Sequence, residues 1–395
     1  MTAETLLSPV ALTANLTLRN RVVMAPMTTW SANDDLTISD AEVAYYRARA
    51  AGVGLVITGC TQVLPNGIGF THEFAATDDR FIPSLRRLSE AATSGGAPAI
   101  LQILHAGNKA LPELTPGGET VAPSAIPTPA SAFAPAQTPR ALTEAEILDL
   151  IAAFGQATRR AIKAGFNGVE LHGAHGFLIQ NFLSPATNHR TDQWGGSPEN
   201  RRRFLLAIIA EVQRVVAAHA AEGFILGIRL SPEEAGGYGI DDTLAVIDAV
   251  IDAGVSYIHA SLGDALHDRP RADAAGPTIV ERIVAQVRGR LPVIAAGGLR
   301  TPAQAEQALA MGLTCVAVGQ GLVMNPDWVQ LASSGRSEEI ALDLDPQQIE
   351  HLAIPQKLWG VIDKATGWFR LKNIRAVGRG VDRARNLPPI HQIHQ

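Results

Sequence analysis

Residues 143–175 read TEAEILDLIAAFGQATRRAIKAGFNGVELHGAH and contain one complete helix-to-strand unit. Thr143 and Glu146 have the spacing of a capping box, in which a hydroxyl and a carboxylate satisfy free amides at a helix N-terminus. Ile147, Leu150, Ile151 and Phe154 then fall on one helical face, and Gly165 supplies the stop. The apolar run Gly168-Val-Glu-Leu ends on His172, with His175 just beyond it. A loop of Asn, His, Arg, Asp, Trp and Gly continues to Asn200. A strand whose C-terminal end carries two imidazoles, backed by a long polar loop, is where a barrel enzyme places its chemistry. The plainer alternative is two histidines satisfied by local hydrogen bonds.

The same unit recurs along the chain. Ser39 with Glu42 opens a helix that stops at Gly52; Thr301 with Gln304, and Pro302 at the first helical position, opens one that stops at Gly312. Apolar runs lie at 22–26, 55–58, 99–103, 169–172, 225–230, 257–261, 293–296 and 315–318, which makes eight. Eight runs alternating with helices predict an α/β fold, a (β/α)8 TIM barrel. A doubly wound open sheet is the alternative, but it usually shows GxGxxG after its first strand, and none stands here. Residues 105–142 are rich in proline and follow the third strand, which predicts a long insertion capping the catalytic face; a disordered linker is the alternative. The expected organisation is a barrel over 1–335 and a C-terminal extension with a helical tail over 336–395, packed on the barrel or on a neighbouring subunit.

Of the 395 residues, 46% are hydrophobic and 18% charged, enough apolar material for one large core. The net charge of -5 gives no reason to expect nucleic acid or an acidic membrane as a partner. A basic stretch over 357–385 (Lys364, Arg370, Lys372, Arg375, Arg379, Arg383) reads as a solvated or subunit-contacting tail, which leaves room for a homo-oligomer. The two cysteines, Cys60 and Cys315, have no metal-ligand spacing and suit a reduced, cytoplasmic setting. Residues 1–16 lack the pattern of a signal peptide, and no apolar run has the length of a membrane span.

In a barrel the strand C-terminal ends share one mouth. Those ends collect Pro26, Met27, Thr28, Cys60, Gln102, His172, His175, Arg229, Gly297, Gly298 and Gly319. The set holds no clustered carboxylates, which argues against two-carboxylate acid–base chemistry. Glycine-rich tips at the seventh and eighth strands suit a phosphate, because bare backbone amides can approach the anion. A phosphorylated cofactor is implied, of a kind that composition does not specify. A metal-dependent hydrolase using His172, His175 and a third ligand such as His105 or His259 stays open.

The chain resembles the Old Yellow Enzyme family, and within it the bacterial NADH:flavin oxidoreductase branch of FMN-dependent ene reductases. The resemblance is carried by NRVVMAPMTTWS from Asn20, GLVITGCTQVLPNG from Gly54, LQILHAGNKA from Leu101 and the segment from His172 to Arg201. GIRLSPEE from Gly227, AAGGLRTP from Ala295 and VGQGLVMNPDW from Val318 complete it in family order. It implies FMN as cofactor and NADH or NADPH as reductant. Pro26, Met27 and Thr28 would line the flavin, with Thr28 near its O4/N5 edge and Cys60 against the ring. Gln102 would bond the pyrimidine edge, and Arg229 would face N1/O2, where charge collects on reduction. Gly297, Gly298, Gly319 and Gln320 would hold the phosphate. His172 and His175 would grip the carbonyl oxygen of an α,β-unsaturated substrate while flavin N5 delivers hydride to its β-carbon, in a ping-pong scheme. Trp30, His105, Phe177 and Tyr238 would shape the substrate pocket.

Two positions depart from the family pattern. Phe177 stands where the family usually has a proton-donating Tyr, so water or Tyr238 would protonate the product, or the main activity is diaphorase-like reduction of quinones or oxygen. Gln320 stands where relatives usually carry Arg on the phosphate, which implies a looser hold on FMN unless Arg300 compensates. These departures also keep open a flavin-binding protein without catalysis. The 367–370 segment, GWFR, could reach a neighbour's site, as tails do in some relatives.

Overall fold

In the computed structural model, which describes residues 5–131 and 134–372, each of the eight apolar runs forms a strand. They are β1 (Val22–Met24), β2 (Leu55–Ile57), β3 (Ala99–Leu104), β4 (Gly168–Gly173), β5 (Ile225–Leu230), β6 (Tyr257–Ser261), β7 (Val293–Ala296) and β8 (Cys315–Val318). Hydrogen-bonded order runs β4-β5-β6-β7-β8-β1-β2-β3, and β3 pairs back onto β4. All these pairings are parallel. The sheet therefore closes on itself, which rules out the open doubly wound alternative.

The helices begin where the sequence caps them. Ser39 and Glu42 bond reciprocally at the start of α1 (Asp40–Ala50). After α2 (Ile82–Thr93), Thr143 and Glu146 do the same at α3 (Glu144–Ala164), and Gly165 ends α3 at φ 89. α4 (Pro198–His219), α5 (Ile240–Asp252), α6 (Ile279–Val287) and α7 (Pro302–Ala310) complete the outer ring up to β8, the last behind the Thr301 box. Ile147, Leu150 and Phe154 are buried against the sheet, whereas Ile151 is only half-buried at the edge of the face.

Two apolar layers hold the barrel. One lies between helices and sheet. The other fills the interior with Val23, Leu55, Ile100, Ile225, Ile294 and Cys315, and includes Leu12 and Leu18 of an N-terminal hairpin, Val10–Thr13 with Leu16–Leu18. The hairpin closes the end where the strands begin, so a site can open only at their C-terminal ends.

The insertion after β3 is ordered over its described residues, and a disordered linker is thereby excluded for them. Three single 3-10 turns (Gly107–Lys109, Pro112–Leu114, Pro116–Gly118) lead into a parallel pairing of Val121–Ala122 with Arg140–Ala141. Arg140 joins Glu119 and Glu146, tying the pairing to the start of α3.

Beyond the barrel, the helix Gln356–Lys364 buries Leu358 and Ile362, and Leu344, Ile349 and Phe369 join the same core as the outer helices. Of the basic stretch, Arg370 and Lys372 make exposed ion pairs with Asp343 and Asp345; Arg375, Arg379 and Arg383 lie outside the described residues. No described helix is long and apolar enough to cross a membrane.

Arg49 binds this extension to α1. Its guanidinium has no exposed surface and donates to the carbonyls of Tyr45 (2.9 Å), Leu322 (3.1 Å), Val323 (3.0 Å) and Leu352 (2.8 Å). It also stacks 3.9 Å from the Tyr45 ring centroid. Arg49→Met keeps the stem but leaves these buried acceptors without donors. The expected loss is roughly 3 kcal/mol or more, read from the urea midpoint. A loss under about 1 kcal/mol would show that the clamp contributes little.

Candidate active site

The strand ends converge on a cavity of about 830 Å³, within the range of about 300–1,000 Å³ common for small-molecule sites. Pro26, Met27 and Thr28 enter it from beyond β1, Cys60 from beyond β2, Gln102 from β3 and His172 from β4. Arg229 enters from β5 and Ser261 from β6; Gly297, Gly298 and Arg300 follow β7, and Gly319 and Gln320 follow β8. Trp30, His175 and Phe177 complete the wall, with Phe70 and Trp368.

Two expected pocket residues are elsewhere. β3 ends at Leu104 and the chain turns outward, so His105 is buried beneath the next loop. Its Nε2 lies 3.1 Å from Asn66 Oδ1, its Nδ1 accepts from the Gly107 amide at 3.1 Å, and burial pushes its pKa down to about 3. The Tyr238 hydroxyl is also buried and donates to the Ser231 carbonyl at 3.1 Å, so its proton is committed away from the cavity. None of the insertion's described residues lines the cavity. The insertion supports the histidine loop from outside, where Lys109 Nζ donates to the His175 carbonyl at 2.7 Å. Residues 366–368 line the cavity of their own chain.

The histidine pair is set by backbone. His175 sits at φ 60, a left-handed conformation uncommon for residues other than Gly. Ser231 Oγ accepts from its amide at 2.9 Å while Lys109 holds its carbonyl, so the turn is fixed at both ends. The two rings come to 5.0 Å between centroids. His172 Nδ1 accepts from the Ala174 amide at 3.3 Å, which assigns the ring proton to Nε2. Burial, then the nearby Arg229 charge, pulls the His172 pKa well down, so it is a neutral donor at neutral pH. His175 Nε2 lies 2.7 Å from Ser261 Oγ, which also accepts from Arg229 Nη2 at 3.0 Å.

Below this layer lies a carboxylate that a survey of strand ends does not find. Glu170, in the middle of β4, has no exposed surface. It accepts from Gln102 Nε2 at 2.7 Å and Tyr257 OH at 2.8 Å, and His259 Nδ1 lies 3.0 Å away. Burial alone would raise its pKa, but His259, Arg229 and Tyr257 outweigh that and keep it ionised. His259 is therefore a core partner of Glu170. With Gln102 Nε2 turned down to Glu170, Oε1 is the end that meets the Cys60 thiol, 3.4 Å away. Burial pushes that thiol up to about 12, so it stays protonated. His105 and His259 are both engaged, and among the described residues no cluster of three or more His, Cys, Asp or Glu could hold a metal ion. Among the described residues the hydrolase alternative thus lacks a third ligand.

The cavity fits a flat, anionic cofactor. A Cβ on Gly297 (φ 155) would come within 2.8 Å of Leu262 O and Ala265 N, so only bare backbone passes there. Arg229 Nε and Arg300 Nε are buried without a hydrogen-bond partner. Arg300 Nη2 also reaches Gln320 Oε1 at 2.7 Å, which puts a cation beside the position where the family pattern has Arg.

Comparison with known proteins agrees with this geometry. Residues 5–339 match the NADH:flavin oxidoreductase / NADH oxidase family. The chain belongs to this family. It is an oxidoreductase that uses FMN with NADH or NADPH, as the resemblance implied. It is 38% identical over 370 residues to a probable NADH-dependent flavin oxidoreductase, YqiG, of Bacillus subtilis, covering 93% of this chain and 98% of that protein. It is 40% identical to an NADH:fumarate oxidoreductase of Klebsiella pneumoniae, covering 90% of this chain but only 38% of that protein. Morphinone reductase in complex with tetrahydroNAD superposes with a TM-score of 0.73 at 30% identity, covering 87% of this chain and 93% of that one.

One buried acid beside the site titrates in a useful range. Glu73 Oε2 accepts from the amides of Gly69 (2.8 Å) and Phe70 (3.1 Å) and so holds the loop that carries Phe70. Burial pushes its carboxyl from 4.5 up to about 8. The folded value lies above the unfolded one, so stability is lost as pH rises from 4.5 toward about 8. Glu73→Gln keeps an acceptor and does not titrate. Its stability advantage is expected to widen on the order of 3 kcal/mol between about pH 5 and pH 8. Thermal melts at both pH values check this; an advantage that shrinks with pH would reverse the sign.

Proposed function

We propose that this chain reduces α,β-unsaturated carbonyl compounds at the expense of NADH or NADPH. The observation that carries the reading is the His172–His175 pair, facing one cavity with Arg229 and the glycine-lined strand ends. Hydride chemistry is supplied by FMN when bound, from nicotinamide to the acceptor's β-carbon. Gln102 and Arg229 would hold the flavin ring. Arg229 would offset the negative charge that reduction places near N1/O2, and as a fixed cation it needs no rearrangement to do so. Gly297, Gly298 and Gly319 would admit the phosphate, with Arg300 as its countercharge. Pro26, Met27 and Thr28 would line the ring.

His172 acts on the acceptor. Its neutral Nε2–H can donate to a carbonyl oxygen without a buried charge that must first be desolvated. His175 supports the same oxygen from its pinned turn. Together they would polarise the conjugated bond and fix the β-carbon over the ring. Phe177 closes the wall 4.8 Å from the His172 ring centroid and has no proton to give. With Tyr238 turned away, the proton for the α-carbon comes from solvent. That same observation favours a second reading, in which quinones, which need no carbon protonation, are the better acceptors.

Phe177→Tyr tests the first reading. A donor placed on this wall is expected to raise kcat for 2-cyclohexenone by roughly tenfold or more, since a positioned general acid contributes about 10²–10⁴-fold. Turnover of a quinone should hardly change. Unchanged enone turnover would mean that carbon protonation does not limit the reaction or that enones are not its acceptors. His172→Ala should lower kcat/KM for the enone by on the order of 10²-fold, through loss of one donor on the reacting oxygen. A quinone assay on the same variant separates lost polarisation from lost flavin.

A further inference from the structure

The cavity has an aromatic arc whose last member comes from far along the chain. From the His172 ring, edge-to-face contacts run to Phe177 (4.8 Å), Phe70 (6.0 Å), Trp30 (5.2 Å) and Trp368 (5.8 Å, 77°). Such contacts align ring edges with ring faces and favour a rigid apolar wall. Trp368 follows the turn at Gly367 (φ 85) and precedes the buried Phe369. The strand-like bonds of Leu344 with Arg370 and Lys372 hold the segment just beyond.

Gln320 fixes the Trp368 end of the arc. Its Nε2 donates to the Trp368 carbonyl, and its Oε1 accepts from Arg300 Nη2 at 2.7 Å. Both ends of the amide are spent on the chain's own groups. An arginine at this position could donate to the carbonyl but could not accept from Arg300, and the two cations would repel. Glutamine therefore suits a joint between a cation and a carbonyl better than a phosphate ligand.

Charged groups on the cavity wall adjoin both ends of the arc, with Arg229 near His172 and Arg300 joined to Trp368 through Gln320. Those that line the wall are Arg229 and Arg300, assigned above to the flavin, and Asp264 and Asp268 of the loop after β6. The arc itself presents aromatic rings and the neutral His172. Between those ends a flat ring would find apolar surface on several sides, which a small acyclic acceptor could not cover.

We propose that Trp368 is a specificity-determining residue that selects flat, cyclic conjugated acceptors over small acyclic ones, and that Gln320 is its positioning residue. This rests on the reductase reading above. It assigns Gln320 to the substrate wall and leaves the phosphate to Arg300 and the glycine amides.

The test uses FMN-loaded full-length protein with NADH and three acceptors: 2-cyclohexenone, menadione and acrylate. Wild type, Trp368→Ala, Trp368→Phe and Gln320→Ala are compared by KM, kcat and the FMN dissociation constant of the apoprotein. Wild type should favour both cyclic acceptors over acrylate in kcat/KM. Trp368→Ala should raise KM for the cyclic acceptors about tenfold, the value of a lost aromatic contact. FMN affinity should stay within about twofold, and Trp368→Phe should restore most of the loss. Gln320→Ala should reproduce the rise in KM in part, again without weakening FMN. The inference is overturned if Trp368→Ala leaves KM unchanged, if acrylate is preferred, or if Gln320→Ala weakens FMN while acceptor KM stays fixed. Should flavin in the wild type bleach with NADH yet no acceptor be reduced, the reductase reading falls with it; activity on the cyclic acceptors without the Trp368 effect removes only this inference.

Discussion

The Glu170 carboxylate takes hydrogen bonds from strands on both sides of its own: Gln102 on β3, and Tyr257 and His259 on β6, with the Arg229 charge from β5 nearby. A buried charge missing one partner costs roughly 3–5 kcal/mol, so each donor is held in place by the others. Two consequences reach the cavity. The Gln102 amide has a fixed sense, Nε2 down and Oε1 toward Cys60. Arg229 stands above a buried anion, which allows a guanidinium to remain charged at the barrel mouth even though burial lowers its pKa. The upper layer, from Arg229 through Ser261 to His175, is built on that arrangement.

Above the network the two ends of the cavity differ in character. One has glycines without side-chain bulk, the Arg300 guanidinium and backbone amides. The other has the His172–His175 pair beside Arg229 and a run of aromatic edges. The insertion after β3 serves the second end indirectly, through Lys109 and the His175 carbonyl. The segment that closes the wall belongs to the C-terminal extension, which Arg49 and the buried Leu358, Ile362 and Phe369 fasten to the barrel.

The barrel was legible because parallel strands buried on both faces must be apolar runs, and because Ser39, Thr143 and Thr301 mark helix starts with side-chain chemistry. The strand-end residues were legible for the same reason: closure brings every C-terminal end to one mouth. Glu170 was not, since attention to strand ends passes over strand middles. Its signal was present, for a carboxylate between Val169 and Leu171 in an otherwise apolar run has to find partners inside. His105 and Tyr238 were misplaced because position along the chain does not show where it turns away after a strand. Phe70 was missed, and the 367–370 segment was read only as reaching a neighbour's site, because neither sits at a barrel strand's end; only folding brings residue 368 against residue 30.

The most direct test is anaerobic double-mixing stopped flow on the FMN-loaded protein, with NADH or NADPH first and 2-cyclohexenone second. The account predicts that the flavin absorbance bleaches with the pyridine nucleotide and returns with the enone. Bleaching that is reversed only by a quinone or oxygen would contradict the role given to His172 and His175, and failure to bind FMN at all would contradict the reading of the cavity.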